Sequence, residues 1–141
     1  MLENVVVGVD EAPTAEVPLR RAIDLVKSTG GTLHLVNAYK SEYQAPPRLP
    51  RELRYATPST CHADQLLEGL AKVAADEHVP VVVHPVTADP VDAITKVAEQ
   101  EHADLIVVGH RQGGRVHHLH RSVSNLLARR APCAVMIVPT A

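Results

Sequence analysis

Five short apolar runs, separated by segments whose apolar residues recur at helical spacing, constrain this chain more than any other feature. The runs are Val5-Val6-Val7-Gly8-Val9, Leu33-His34-Leu35-Val36-Asn37, Val79 to Val86, Leu105-Ile106-Val107-Val108 and Cys133 to Val138. A strand with one face in water alternates apolar and polar residues, whereas one covered on both faces is apolar throughout. Hairpin turns do not connect parallel neighbours, so strands that alternate with helices demand crossovers and a parallel sheet between helical layers. The pattern therefore predicts an α/β fold in the order β-α-β-α-β-α-β-α-β. At 141 residues, one domain spanning 1–141 is expected.

The helical segments carry their own punctuation. Ala15, Leu19, Ala22, Ile23 and Val26 mark the first helix between Pro13 and Thr29, with Gly30-Gly31 as its stop and Pro18 predicting a late or bent first turn. Ala63, Leu66, Leu67, Leu70, Val73 and Ala74 mark the second. Asp89-Pro90-Val91-Asp92 reads as a third helix start, with Asp89 as cap, Pro90 at the first helical position, and Ile94, Val97 and Ala98 on the buried stripe. The fourth runs from Ser122 to Ala131 after a polar loop, Gly109 to Arg121. Between Lys40 and Ser59 lies a long excursion with Pro46, Pro47, Pro50 and Pro58, read as an exposed loop.

Charge and composition exclude several functions. A net charge of -2 gives no general attraction for nucleic acid, and Tyr39, Tyr43 and Tyr55 with no Trp or Phe cannot build a base-stacking platform. Cys61 and Cys133 show no paired spacing, which points away from a disulfide framework and toward a reducing cytoplasm. The N-terminus has no basic region before an apolar stretch, and no run approaches a membrane span, so a cytoplasmic protein without membrane contact is expected.

In open parallel sheets a ligand lies beyond the carboxyl ends of the strands, where strand order reverses. Two segments are candidate walls of such a cleft: Gly8-Val9-Asp10-Glu11-Ala12-Pro13, and Gly109-His110-Arg111-Gln112-Gly113-Gly114-Arg115 onward to Ser122. The second has the ingredients of an anion cradle, with glycines that permit close backbone approach and Ser122 at an expected helix N-terminus. After Asp104 no acidic side chain follows, while Arg111, Arg115, Arg121, Arg129 and Arg130 are present, so this end is locally electropositive. The competing reading is a simple turn with solvated arginines. Asp10 fits either a ribose or adenine contact or a cap on the first helix.

At these residues the chain resembles the universal stress protein family over essentially its full length. The match rests on Val5-Val6-Val7-Gly8-Val9-Asp10, on His102-Ala103-Asp104-Leu105-Ile106-Val107-Val108-Gly109, and on Ser122-Val123-Ser124 through Arg130-Ala131-Pro132-Cys133-Ala134-Val135-Met136-Ile137-Val138. The resemblance implies an open five-stranded parallel sheet of order 3-2-1-4-5 with helices on both faces, of the adenine nucleotide alpha hydrolase-like kind. It also implies a homodimer joined through the last strand, and adenine and ribose contacts at Asp10 and near Val9 and Val36, with phosphates at Gly109, Gly113 and Ser122. Arg111 and Val123 flank these positions and complete the candidate set. ATP-binding members carry Gly, two residues, Gly, nine residues, then Gly with Ser or Thr. Here Gln112 and Arg121 replace the second and third glycines, the interval is one residue shorter, and Ala88 stands where many members have glycine before the third helix. The resemblance thus admits a stress-response interaction module with a degenerate loop, unknown protein partners and no fixed cofactor. It equally admits a working sensor of an adenine nucleotide or another anion, with ATP and Mg²⁺ as the implied ligand. A weak ATPase ranks behind both.

Nine histidines are present, and His110, His117, His118 and His120 gather in the expected ligand loop. Surface polarity, an anion patch that charges near pH 6 and a Zn²⁺, Ni²⁺ or Cu²⁺ site all fit that spacing. His34 and His84 fall inside strands, where a lone histidine is commonly a satisfied structural group, and receive no role; His62, His78 and His102 are placed at element ends. No residue is assigned as a metal ligand. The chain has no Gly-x-Ser-x-Gly elbow, no Cys-His signature, no Walker lysine, and neither the Ser-Gly-Gly loop nor the His-x-Gly-His motif of nucleotide-activating proteins of this architecture. Binding rather than catalysis is the expectation.

Overall fold

The structure is a computed structural model that describes residues 2–10, 13–39, 58–111 and 118–140, with side chains at all of these except 39, 58–64, 111 and 118–122. The strands are β1 (Asn4–Gly8), β2 (Thr32–Tyr39), β3 (Val81–Thr87), β4 (Leu105–Arg111) and β5 (Ala134–Thr140). The helices are α1 (Glu16–Thr29), entered through a 3-10 turn at Pro13–Ala15, α2 (Pro58–Asp76), α3 (Pro90–Gln100) and α4 (His118–Arg130). All strand pairs are parallel, in the order β3-β2-β1-β4-β5. The expected sheet order is therefore present.

Residue alternation along each strand divides the core in two. Val5, Val7, Leu33, Leu35, Leu105 and Val107 face α1 and α2, where they meet Leu19, Ile23, Val26, Leu67 and Leu70. Val6, Val36, Ile106 and Val108 face the other way, against Val91, Ile94, Val97 and Leu127 of α3 and α4. Each such side chain contributes about 1.5–3 kcal/mol when fully buried. With both faces covered, alternation of polarity disappears from the central strands, which is the pattern seen in the sequence. The edges differ: Val82 and Val83 of β3 and Ile137 of β5 are exposed. Pro85 and Pro139 also lie in these two edge strands, where a missing N–H costs the least.

Several boundaries move. α1 starts late, with Pro18 in its first turn, as its position demands. Its N-cap position is Ala15, which makes no side-chain bond, so Asp10 is not the N-cap residue of α1. Asp89 does cap α3, accepting a hydrogen bond from the Val91 N–H at 3.2 Å. α2 begins at Pro58, inside the stretch read as loop, because proline and serine fit a first helical turn; positions 40–57 lie outside the described residues. β4 runs on through Gly109 and His110 to Arg111, which were read as loop, because β5 continues to pair with it. α4 begins at His118 rather than Ser122: Leu119 extends the apolar period of Val123 and Leu127 by one turn.

Two helix stops use histidine where glycine is usual. His78 and His102, both exposed, have φ of 61° and 52°. The following amides close the turns, Val79 N–H on the Ala74 carbonyl at 3.1 Å and Ala103 N–H on the Ala98 carbonyl at 2.9 Å. A Cβ in this left-handed region costs free energy that glycine avoids. His78→Gly is expected to stabilise the fold by about 0.5–1 kcal/mol, read as a rise in thermal midpoint; a fall would mean that the imidazole makes a compensating contact.

Asp104 anchors the start of the sheet. Its Oδ2 accepts from the N–H groups of Glu3 at 2.8 Å and Asn4 at 3.0 Å, while its own N–H donates to the Asn4 carbonyl at 2.8 Å. The backbone bonds from Asn4 and Glu3 hold the Asp104 carboxyl below the usual carboxylate range. A group whose folded pKa is depressed adds stability above its unfolded value and loses it as pH falls through the folded value. Denaturant midpoints between pH 6 and pH 2.5 are expected to decline less steeply in Asp104→Asn than in the parent; parallel profiles would remove Asp104 from the acid response.

Candidate functional site

The strand order reverses between β2 and β4 on either side of β1, which opens a crevice at their carboxyl ends. The ladders show where it opens. β1 and β4 pair only as far as Val7↔Val107. The β1–β2 ladder continues to Gly8↔Val36, extended by the Val9 N–H donating to the Val36 carbonyl at 2.9 Å. The β4–β5 ladder continues to Arg111↔Thr140. Beyond Val7 the sheet therefore splits into two halves, with Gly8, Val9 and Asp10 on one lip and Val108, Gly109 and His110 on the other.

Glycine has a different reason on each lip. At Gly8 an added Cβ would stand 2.7 Å from Ile94 Cδ1 and 3.2 Å from Val108 Cγ1, so this glycine lets α3 pack closely on the strand. At Gly109 the nearest atoms would be Thr140 Cγ2 at 3.4 Å and Pro18 Cγ at 3.5 Å, ordinary contact distances. Packing among the described residues leaves room for a methyl group at Gly109.

Some buried side-chain polar atoms have no hydrogen-bond partner. Among the described residues these include Nδ1 of His110 on β4, Oγ1 of Thr140 at the end of β5 and Oγ of Ser124 on α4. Buried polar atoms are nearly always hydrogen-bonded, and an orphan in a cleft is an unused donor or acceptor. Ser124 and Thr140 are almost wholly buried. Neither stands out in the sequence, because a serine or threonine among apolar neighbours gives no periodic signal.

Of the residues singled out in the sequence, Val9, Asp10, Val36 and Gly109 meet at the crevice. Val9 and Val36 are buried and Asp10 is half-buried. Arg111 is the last residue of β4. Gly113 lies outside the described residues, as does His117. Arg121 and Ser122 are in α4, with His118 and His120 in its first turn. The start at His118 corrects the placing of Ser122 at the free-amide end: an N–H in the second turn bonds within the helix, and the unused amides lie nearer His118. Val123 is half-buried against the α3–α4 core. Ala88, half-buried before α3, packs on the same core. Arg130 is withdrawn from the basic loop, since its Nη2 reaches Asp92 Oδ1 of α3 at 3.4 Å.

The split parallel sheet, flanked by helices on both faces, is an architecture of the doubly wound type. The chain belongs to the universal stress protein family, whose profile matches residues 1–139. It is similar to a Staphylococcus aureus protein named as a universal stress protein, 28% identical over 141 residues covering 98% of this chain and 84% of that one. Among solved structures it resembles a universal stress protein in complex with cAMP, with TM-score 0.77, 25% identity and 99% of each chain covered. The universal stress protein UspA from Lactobacillus plantarum shares the fold, with TM-score 0.78, 20% identity and 97% of each chain covered. No helix among the described residues is long and apolar enough to cross a membrane.

Proposed function

We propose that the chain is a stress-response module that binds an adenine nucleotide in the crevice between β1 and β4 and acts through binding rather than catalysis. The observation that carries this reading is the split of the sheet beyond Val7↔Val107, with the unpartnered Nδ1 of His110 on the β4 side. The similar universal stress protein in complex with cAMP supports an adenine nucleotide as the ligand class. In this reading Asp10 takes ribose or adenine, the backbone at Val9 and Val36 the base, and Gly109, Gly113 and the Ser122 hydroxyl the phosphate, with Arg111, Arg121 and Val123 alongside. The ATP-binding pattern has glycine at the position of Arg121, so this reading takes a nucleotide with fewer phosphates than ATP with Mg²⁺. Non-catalytic action rests on the lack of an activated nucleophile motif in the sequence.

A homodimer through β5 belongs to the same reading. β5 is an edge strand with Ile137 exposed and Val135 and Met136 half-buried, and an apolar open edge favours pairing with a second copy. Sedimentation at micromolar concentration is expected to give twice the 15.2 kDa chain mass; a monomer would remove this part.

Calorimetric titration of the metal-free protein with AMP, cAMP and ATP, the last with and without Mg²⁺, tests the site. Saturable binding of at least one nucleotide is expected, strengthened for ATP in Arg121→Gly. No heat from either folded protein would overturn nucleotide binding and leave a protein-interaction module.

A further inference from the structure

Between β2, β3 and the end of α3, three side chains from three elements converge. His34 of β2 and His84 of β3 sit on the α3 side of the sheet, diagonal across adjacent strands, since His34 is in register with Val82 and His84 with Val36. His34 Nδ1 and His84 Nε2 are 3.0 Å apart, with ring centroids separated by 5.3 Å. Glu101, just beyond the last turn of α3, brings its carboxylate to them, and one ligand atom from each of the three residues lies within 4.8 Å of the others. His34 is buried, while His84 and Glu101 are half-buried and leave a path for an ion.

We propose that His34, His84 and Glu101 form a binding site for a first-row divalent metal ion of the Zn²⁺ class. Two imidazoles and one carboxylate are a recurrent ligand set for such ions, and metal–ligand distances of about 2.0–2.2 Å call for donor separations of roughly 3–3.5 Å. The histidine pair already meets that spacing, and a modest rotation of the Glu101 side chain closes the rest.

The hydrogen bonding prepares the donors. His34 Nε2 lies 3.1 Å from Asn4 Oδ1, and the amide oxygen can only accept, so Nε2 carries the proton and the Nδ1 lone pair faces His84. In the metal-free protein His84 Nε2–H then donates to that lone pair. Metal entry moves the His84 proton to Nδ1 and turns both facing nitrogens into ligands, while Asn4 keeps the His34 ring oriented. Burial pushes both histidines below their ordinary pKa, which favours the neutral imidazoles that a metal needs. A bound ion would tie edge strand β3 to β2 and to the end of α3.

Untagged, metal-free protein is titrated with Zn²⁺ against a chromophoric chelator, and with Co²⁺ by visible absorption. Parallel samples are His84→Gln, Glu101→Gln, Asn4→Ala, and a triple His117→Gln, His118→Gln, His120→Gln variant that removes the closely spaced histidines around position 118. One tight ion per chain is expected in the parent and the triple variant, with a tetrahedral-type Co²⁺ spectrum and a thermal midpoint raised by roughly 5 °C at saturating Zn²⁺. His84→Gln should abolish tight binding and Glu101→Gln and Asn4→Ala weaken it about tenfold or more, with far-ultraviolet circular dichroism unchanged. Binding lost only in the triple variant, or no stoichiometric binding by the folded parent, would overturn the site.

Discussion

Gly31→Ala is expected to destabilise the fold by about 3 kcal/mol, lowering the thermal midpoint by roughly 10 °C, whereas Gly30→Ala next to it should cost only about 1 kcal/mol. The two glycines read alike in the sequence, as a helix stop. Gly30 supplies the left-handed turn, with φ of 73°, and an added Cβ there would meet nothing within 4 Å. Gly31 is buried, and its Cβ would stand 2.3 Å from the Leu2 carbonyl oxygen and 2.8 Å from that of Glu3. Both are backbone atoms, so no rotamer change relieves the collision. The Glu3 carbonyl also accepts the Thr32 N–H at 2.8 Å, and the Glu3 and Asn4 amides are held by Asp104. Making room for a methyl group must therefore loosen the entry to both β1 and β2. Urea denaturation of the two variants beside the parent measures the difference; equal small losses would show that the N-terminal backbone yields without cost.

The fold was legible because its physics is local and repeated. Strands buried on both faces are apolar at every position, and Asp89-Pro90 announces a helix start whose cap is present in three dimensions. Boundaries were legible only where a cap or breaker marks them. Gly109-His110-Arg111 looks like loop in one dimension, yet the pairing partner that makes it strand, Val138-Pro139-Thr140, is far along the chain. Leu119, one helical turn before Val123, is a weak cue for the start of α4 in a mostly polar stretch.

The site was legible in part, for the same reason. Asp10 and Gly109 stand at strand ends that patterning marks, whereas Val9, Val36 and the sheet order were implied by the family resemblance. Thr140 and Ser124 carry no signal until β5 and α4 are folded around them. His34, His84 and Glu101 were the hardest to see. Two lone histidines in strands look like isolated structural groups, and only the β2–β3 register and the length of α3 reveal that they face one another and a carboxylate.

Gly109→Ala separates a glycine kept for packing from one kept for a ligand. A Cβ at this position would approach Thr140 and Pro18 no closer than 3.4 Å, and the strand backbone there does not require positive φ. The variant should match the parent in stability within about 0.5 kcal/mol, since a methyl group that meets only ordinary contacts neither strains nor empties the core. Nucleotide affinity should nonetheless fall on the order of tenfold, because glycine at a strand end facing a crevice lets a ligand approach the backbone itself. The comparison with Gly8→Ala sharpens the point. There the 2.7 Å approach to Ile94 Cδ1 and 3.2 Å approach to Val108 predict a loss of about 1–2 kcal/mol from overpacking, with any change in affinity following from displaced structure. Paired calorimetry and denaturation on both variants therefore assign each lip of the crevice its function. A destabilised Gly109→Ala with unaltered affinity would place the ligand elsewhere.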